Sequence, residues 1–320
     1  MKMKFVWATL SVGIIAALVG NQLLSSNKGR SDFAQKKLLA MHSGSFDLGS
    51  ISKVEIKKAE DETISAAEKV LQDWQMPDYQ GYAANTKLLS ELLQDIKDAK
   101  VVELKTSKVK NHGRLGLRAL SDGDSEAKLV TLSNGQSSIE LLVGKSATTG
   151  TGQYVRYADN DQTFLIDKII ELPDSGQDWL APQIFDFEFD EVRKLRVQNS
   201  DNQEFQIKRE EVVVNTEIEE PQLPLSEKAG YELADNFHMV GLAEDEELQY
   251  GSILDGLVRN VLGMKVKDVM LKQQSQGLRQ SHEFELLIKQ NNGVKSVQFS
   301  LLTDDQETPS YWLSMMNNQW

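Results

Sequence analysis

Leu142-Val-Gly144-Lys145-Ser146 ends in the Gly-Lys-Ser of a phosphate-binding loop. That chemistry needs a second glycine five residues before Gly144, so that successive backbone amides can cradle the phosphates. Ile139 stands at that position. The cradle is missing, and the segment reads as a strand running into a turn. Ser107 and Lys110 have the Ser-x-x-Lys spacing that some acyl-transfer enzymes use for a nucleophile and its base. They lie in a Lys-rich stretch with no companion motif, which fits a solvated loop. The histidines, His42, His112, His238 and His282, are scattered, and none belongs to a His-Glu-x-x-His metal site. His282 adjoins Glu283 and Glu285, but in a strand those acids point to the face opposite the imidazole. No catalytic, cofactor-binding or metal-ligating residue is assigned.

Two further patterns could bind. Asp186, Glu188 and Asp190 alternate with Phe185, Phe187 and Phe189, so an extended chain would turn the acids to one side and the rings to the other. A half-buried edge of a second domain explains this, with a cation or glycan site on the acidic side as the alternative. Aromatic residues Trp74, Tyr79 and Tyr82, and separately Tyr311, Trp312 and Trp320, are candidates for a surface that grips a partner or ligand. Rings of this kind bury much area at little entropic cost. Core packing competes for the same residues.

The elements that would position these groups follow from apolar spacing. Leu88, Leu89, Leu92, Leu93 and Ile96 recur at three and four residues, predicting a helix over Lys87 to Ala99 with Asn85 as its cap. Ile51, Val54 and Ile56 suggest a strand before it and Val101 to Leu104 an extended segment after it. Strands follow around Ala127 to Leu132, Ser138 to Val143, Gln153 to Tyr157 and Thr163 to Ile166, with a hairpin turn at Asn134-Gly135. The order then returns. Phe187 to Gln198 and Glu204 to Lys208 form a hairpin, and Leu248 to Leu262 a second helix, led by the acidic run Glu244 to Glu247 at its positive end. Glu283 to Lys289 and Val294 to Leu302 close the set across Asn291-Asn-Gly293. An acidic, Pro-containing insertion covers Val214 to Leu225, and Pro173 to Pro182 reads as a connector.

The fold class is therefore α+β: an N-terminal transmembrane helix, then two similar domains, each an antiparallel sheet packed by one main helix. The expected boundaries are 1–26 for the anchor or uncleaved signal, 27–46 for a stalk, 47–182 for the first domain and 183–320 for the second, a divergent repeat. The span rests on Phe5 to Leu24, an uncharged run of the length that crosses a bilayer, after Lys2 and Lys4. Ala16 and Gly20 could pack against a partner helix. A retained span would place the chain in a bacterial inner membrane, single-pass, with its bulk in the periplasm.

Composition narrows the partners. The chain has 35 basic and 48 acidic side chains, a net charge of -13, and no cysteine. Such a charge disfavours nucleic acid and anionic lipid, whose phosphates need concentrated Lys and Arg, and favours a basic partner. The missing cysteines exclude disulfides, thiolate metal sites and thiol nucleophiles.

Trp74 to Tyr79, the Leu88 to Ile96 helix, Leu115-Gly-Leu117, the strand end Ile139 to Gly144 and Gln153-Tyr-Val-Arg156, taken in order, resemble the family called domain of unknown function 4340. Its members are found in proteins encoded with gliding-motility-type ABC exporters. The resemblance implies an extracytoplasmic, membrane-tethered accessory or scaffold subunit without catalytic residues. ABC permease and ATPase subunits, and other auxiliary membrane proteins, would be its partners. A periplasmic module that binds a glycan or peptide is the second class, and a hydrolase the third.

Overall fold

The computed structural model describes residues 35–44, 46–148, 150–209, 211–212, 232–233, 237–242, 248, 250, 252–291, 293–304, 306 and 308–315. The chain divides between Ala181 and Pro182 into two compact units.

In the first unit the strands are β1 (Lys53–Lys58), β2 (Glu62–Val70), β3 (Asp73–Met76), β4 (Tyr82–Ala83), β5 (Val101–Leu104), β6 (Lys128–Ser133), β7 (Ser138–Ser146), β8 (Gln153–Tyr157) and β9 (Thr163–Ile166). They form one nine-stranded antiparallel sheet in the order β4-β3-β2-β1-β6-β7-β8-β9-β5. Helix α1 (Thr86–Asp98) stands between β4 and β5. Its start is fixed by Asn85, whose side chain accepts a hydrogen bond from the Leu88 amide at 3.3 Å. Its apolar stripe buries Leu89, Leu92 and Ile96, each turn of the helix returning a leucine or isoleucine to the same side. The β6–β7 turn is closed by Asn134, whose Oδ1 accepts from the amides of Gln136 and Ser137, and Gly135 there takes a left-handed φ of 83°.

The second unit contains β10 (Val192–Asn199), β11 (Glu204–Lys208), the short pair β12 (Glu211–Val212) and β13 (Glu232–Leu233), β14 (His238–Met239), helix α2 (Ile253–Leu262), β15 (Arg279–Gln290), β16 (Gly293–Thr303) and β17 (Tyr311–Met315). Its main sheet has six strands in the order β14-β11-β10-β15-β16-β17. Leu254, Val258 and Val261 of α2 join Val192, Leu195, Ile207, Leu286, Ile288 and Phe299 in a single buried cluster. The two sheets share a strand order: β3-β2-β1-β6-β7-β8 in the first corresponds to β14-β11-β10-β15-β16-β17 in the second, with a helix inserted before β5 in one and before β15 in the other.

The expected membrane span requires correction. Among the described residues no helix is long and apolar enough to cross a membrane. The longer one, α1, has 13 residues and reaches about 20 Å, short of the about 30 Å of bilayer hydrocarbon, and its outer face carries Lys87, Glu91 and Lys97. Among the described residues the fold class is therefore two antiparallel sheets with short helices, without the expected transmembrane element. Membrane tethering, the single-pass inner-membrane placement and the periplasmic location, which rested on that element, have no support among the described residues. Phe5 to Leu24, the segment on which those expectations rested, lies outside the described residues, as do the acidic insertion Val214 to Leu225, the run Glu244 to Glu247, and Trp320.

Smaller differences have local causes. Residues 35–44, within the expected stalk, are packed onto the first unit: Leu38 is fully buried, and the amides of Gln35 and Val101 bond the carbonyls of Val101 and Lys36. Of the expected connector Pro173 to Pro182, residues 173–181 fold back onto the same unit, with Trp179 and Leu180 buried and Ala181 bonded to Ala83. Residues 185–188 keep the alternation of rings and exposed acids, Phe185 buried and Phe187 half-buried, but outside any ladder, and Phe189–Glu191 is a turn of 3-10 helix.

Candidate functional site

The described surface of the first unit contains a groove of about 470 Å³ between α1 and residues 171–179. One wall comes from Leu88, Glu91, Leu92 and Asp95. These positions are i, i+3, i+4 and i+7 of the helix, so they form one continuous stripe. Leu92 is buried, Leu88 lies exposed at the rim, and the two carboxylates alternate with them. The other wall is Glu171, Leu172, Pro173, Asp174, Asp178 and Trp179.

That second wall lacks regular structure beyond one 3-10 turn, so side chains hold it. Gln153 is buried on β8. Its amide nitrogen donates to the Gly144 carbonyl at 3.0 Å, and its oxygen accepts from the Ile170 amide at 2.8 Å, pinning the chain just before Glu171. Lys128 donates to the Pro173 carbonyl at 2.8 Å and to Asp174 at 2.7 Å. Asp178 accepts from the amides of Asp174 and Ser175 at 3.0 and 2.9 Å, completing a capping box with Ser175. Lys168 reaches Asp95 at 3.1 Å and so ties the helix to the segment that leads into the opposite wall.

Electrostatically the groove is negative. Five carboxylates line it, and ion pairs engage three of them, Asp95 with Lys168, Asp174 with Lys128 and Glu91 with Lys87. Lys87 stands 3.9 Å from Glu91 on the exposed side of the helix. Glu171 and Asp178 form no salt bridge among the described residues. The Lys128 ammonium beside Asp174 holds that carboxyl below the usual aspartate range, the opposite of the upward shift a general acid needs. No histidine and no hydroxyl nucleophile lines the groove, and no group of His, Cys, Asp and Glu among the described residues could hold a metal ion. What the arrangement offers is a concave, partly apolar, anionic surface.

The aromatic candidates fall into separate places. Trp74 and Tyr82 sit half-buried on β3 and β4; with Met76 paired to Tyr82 and Ala84 bonded to the Trp74 carbonyl, all share one face of the sheet. Burial pushes the Tyr82 hydroxyl's pKa up. Tyr79 lies over Gly176, where any Cβ would come within 2.6 Å of its ring, so it braces the turn that carries Asp178 and Trp179. Tyr311 and Trp312 belong to β17 in the second unit, Tyr311 being 62 % exposed. Ser107 and Lys110 are both exposed.

Two buried polar residues hold turns of the first unit. His112 is enclosed, its Nε2 2.9 Å from the Asp161 carbonyl. Arg156, also buried, donates to the carbonyls of Tyr157, Ala158 and Asn160, clamping the β8–β9 turn. The groove itself was missed because its two halves lie about 80 residues apart in sequence. The readable trace was the mixed Leu/acid stripe at 88, 91, 92 and 95, hidden beneath the stronger all-leucine periodicity.

No curated protein and no solved structure matches the chain. A family model does match, over residues 74–281. The matched span opens at Trp74 and contains both walls of the groove, Gln153 and Arg156. As it covers more than half of the 320 residues, the chain belongs to the family described as Domain of unknown function (DUF4340).

Proposed function

We propose that the chain is a non-catalytic binding module whose α1 groove receives a cationic, partly apolar peptide segment of a partner protein. The observation that carries this reading is the pairing of a Leu88-Glu91-Leu92-Asp95 stripe with the Glu171-Leu172-Pro173-Asp174 wall around about 470 Å³. Apolar side chains spaced between Lys or Arg would meet Leu88, Leu92 and Leu172 while their charges face Glu91, Glu171 and Asp178. The attraction would fall as salt rises. Trp179 is only 3 % exposed and presents no open ring for a sugar to stack on, which favours peptide over glycan. The family resemblance to proteins encoded with ABC exporters makes permease and ATPase subunits the first partners to try.

Fluorescence anisotropy with short labelled peptides alternating Lys or Arg with Leu tests the proposal. Cationic amphipathic peptides should bind, acidic ones of the same hydrophobicity should not, and the double variant Glu91→Lys/Glu171→Lys should weaken binding about tenfold, as expected for reversing two exposed charge pairs. Equal binding to the wild type and the double variant would overturn the assignment of the groove.

A further inference from the structure

The segment after β5 departs from the rest of the chain in charge. Residues 104–121 contain no carboxylate and carry Lys105, Lys108, Lys110, Arg114 and Arg118, in a protein of net charge -13. Lys105 pairs with Glu103 at 2.7 Å, and Arg118 pairs with Asp124. Lys108, Lys110 and Arg114 are exposed and form no ion pair among the described residues. Val109, between the two lysines, is 63 % exposed.

This cationic segment is fixed in place. The Lys105 amide donates to the Thr163 carbonyl and the Thr106 amide to Thr163 Oγ1, both at 3.0 Å. His112 is buried against the Asp161 carbonyl, and the Leu117 amide returns to the His112 carbonyl at 3.0 Å. The 3-10 turn Val109–Leu115 is thus anchored before, within and after itself, while its cations stay in solvent. Little backbone freedom remains to be lost on binding, which favours association.

The α1 groove is the surface that complements it. Glu91, Glu171 and Asp178 line that groove beside Leu88, Leu92 and Leu172, an arrangement suited to an apolar side chain flanked by cations. Lys108-Val109-Lys110 has that composition. The exposed Val70-Leu71 turn does not, because Glu68 and Asp73 outweigh Lys69 around it. Two chains of net charge -13 repel at long range, so contact between them needs opposite charges within the about 10 Å over which charges act at 0.1 M salt. The turn and the groove supply them.

We propose that the groove of one copy receives the exposed face of residues 108–114 of a second copy. The inference rests on the groove reading above and names its partner; a cationic segment of another protein would compete with the second copy for the same carboxylates.

Sedimentation velocity of the full chain, with charge reversal on each side, tests it. Self-association should rise with protein concentration and fall as salt is added. Lys108→Glu/Lys110→Glu and Glu91→Lys/Glu171→Lys, all at exposed positions, should each weaken it about tenfold. Mixed together, the two variants should associate again, since the reversed turn meets the reversed groove and the unaltered groove meets the unaltered turn; recovery shows that both are folded. A chain that stays monomeric at high concentration yet binds the cationic amphipathic peptides would overturn this inference and leave the groove reading standing, whereas failure of both would remove both. Self-association that neither reversal weakens, or variants that melt as the wild type does and fail to recover on mixing, would also overturn the proposal.

Discussion

At Gly144 the backbone of β7 passes so near the 115–116 segment that an added Cβ would come within 2.9 Å of the Gly116 carbonyl oxygen and closer still to that of Leu115. The glycine of the Gly-Lys-Ser triplet thus serves close packing at a register shift between Val143 and Ser146, while Lys145 pairs with Glu126 at 2.6 Å. Gly144→Ala should lower stability by about 1–3 kcal/mol through overpacking, measured by urea denaturation. Leu71 presents the reverse case. It is 92 % exposed and has a φ of 58° in the two-residue turn between Val70 and Asp73, a conformation that costs a non-glycine side chain about 1 kcal/mol. Leu71→Asn tolerates that φ and should raise the denaturation midpoint. On the polar face of the second sheet, the Arg196 guanidinium, 2.7 Å from Glu204, holds that carboxyl at about 2, with Gln206 adding a further hydrogen bond. A depressed carboxyl stabilises the fold fully above the ordinary glutamate value of 4.5 and loses that contribution as pH falls through about 2. The stability difference between wild type and Glu204→Gln should therefore shrink across that window and be constant above it; a difference that grows on acidification would contradict the assignment.

Among the elements, the groove wall at 171–179 is the most dependent on specific side chains. Asp178→Ala removes the acceptor of two backbone amides, those of Asp174 and Ser175, at a cost of about 1 kcal/mol for a lost cap. The expected outcome is a modest fall in the melting temperature together with weaker peptide binding, whereas a fall in stability with unchanged binding would show that the wall does not shape the site. Elements with local signals were readable in the sequence. The leucine spacing and Asn85 placed α1 to within a residue at each end, and β8, β9 and β11 matched their expected ranges. Others had no local signature. Asp73–Met76 and Tyr82–Ala83 are strands only because they pair with β2 and with each other, and the helix expected from Leu248 begins at Ile253. The groove depends on Gln153, Lys128 and Lys168 reaching across the fold, contacts that periodicity does not encode.

For the whole molecule, the shared strand order means that one architecture occurs twice in the chain with different surroundings. The first unit adds strands at both margins of the common six and builds a groove beside its helix; the main sheet of the second, among the described residues, consists of those six strands. Negative charge and the groove's carboxylates together predict that association with a cationic segment weakens as ionic strength rises, because exposed charges more than about 10 Å apart are screened at 0.1 M salt. Acidification should weaken it too as carboxylates are neutralised, and the Lys128 ammonium holds the Asp174 carboxyl below the usual aspartate range. The most direct measurement is hydrogen exchange of the full chain with and without a saturating cationic amphipathic peptide. The account predicts new protection confined to the 88–95 turns of α1 and to residues 170–179; protection elsewhere, or none at saturation, would contradict it.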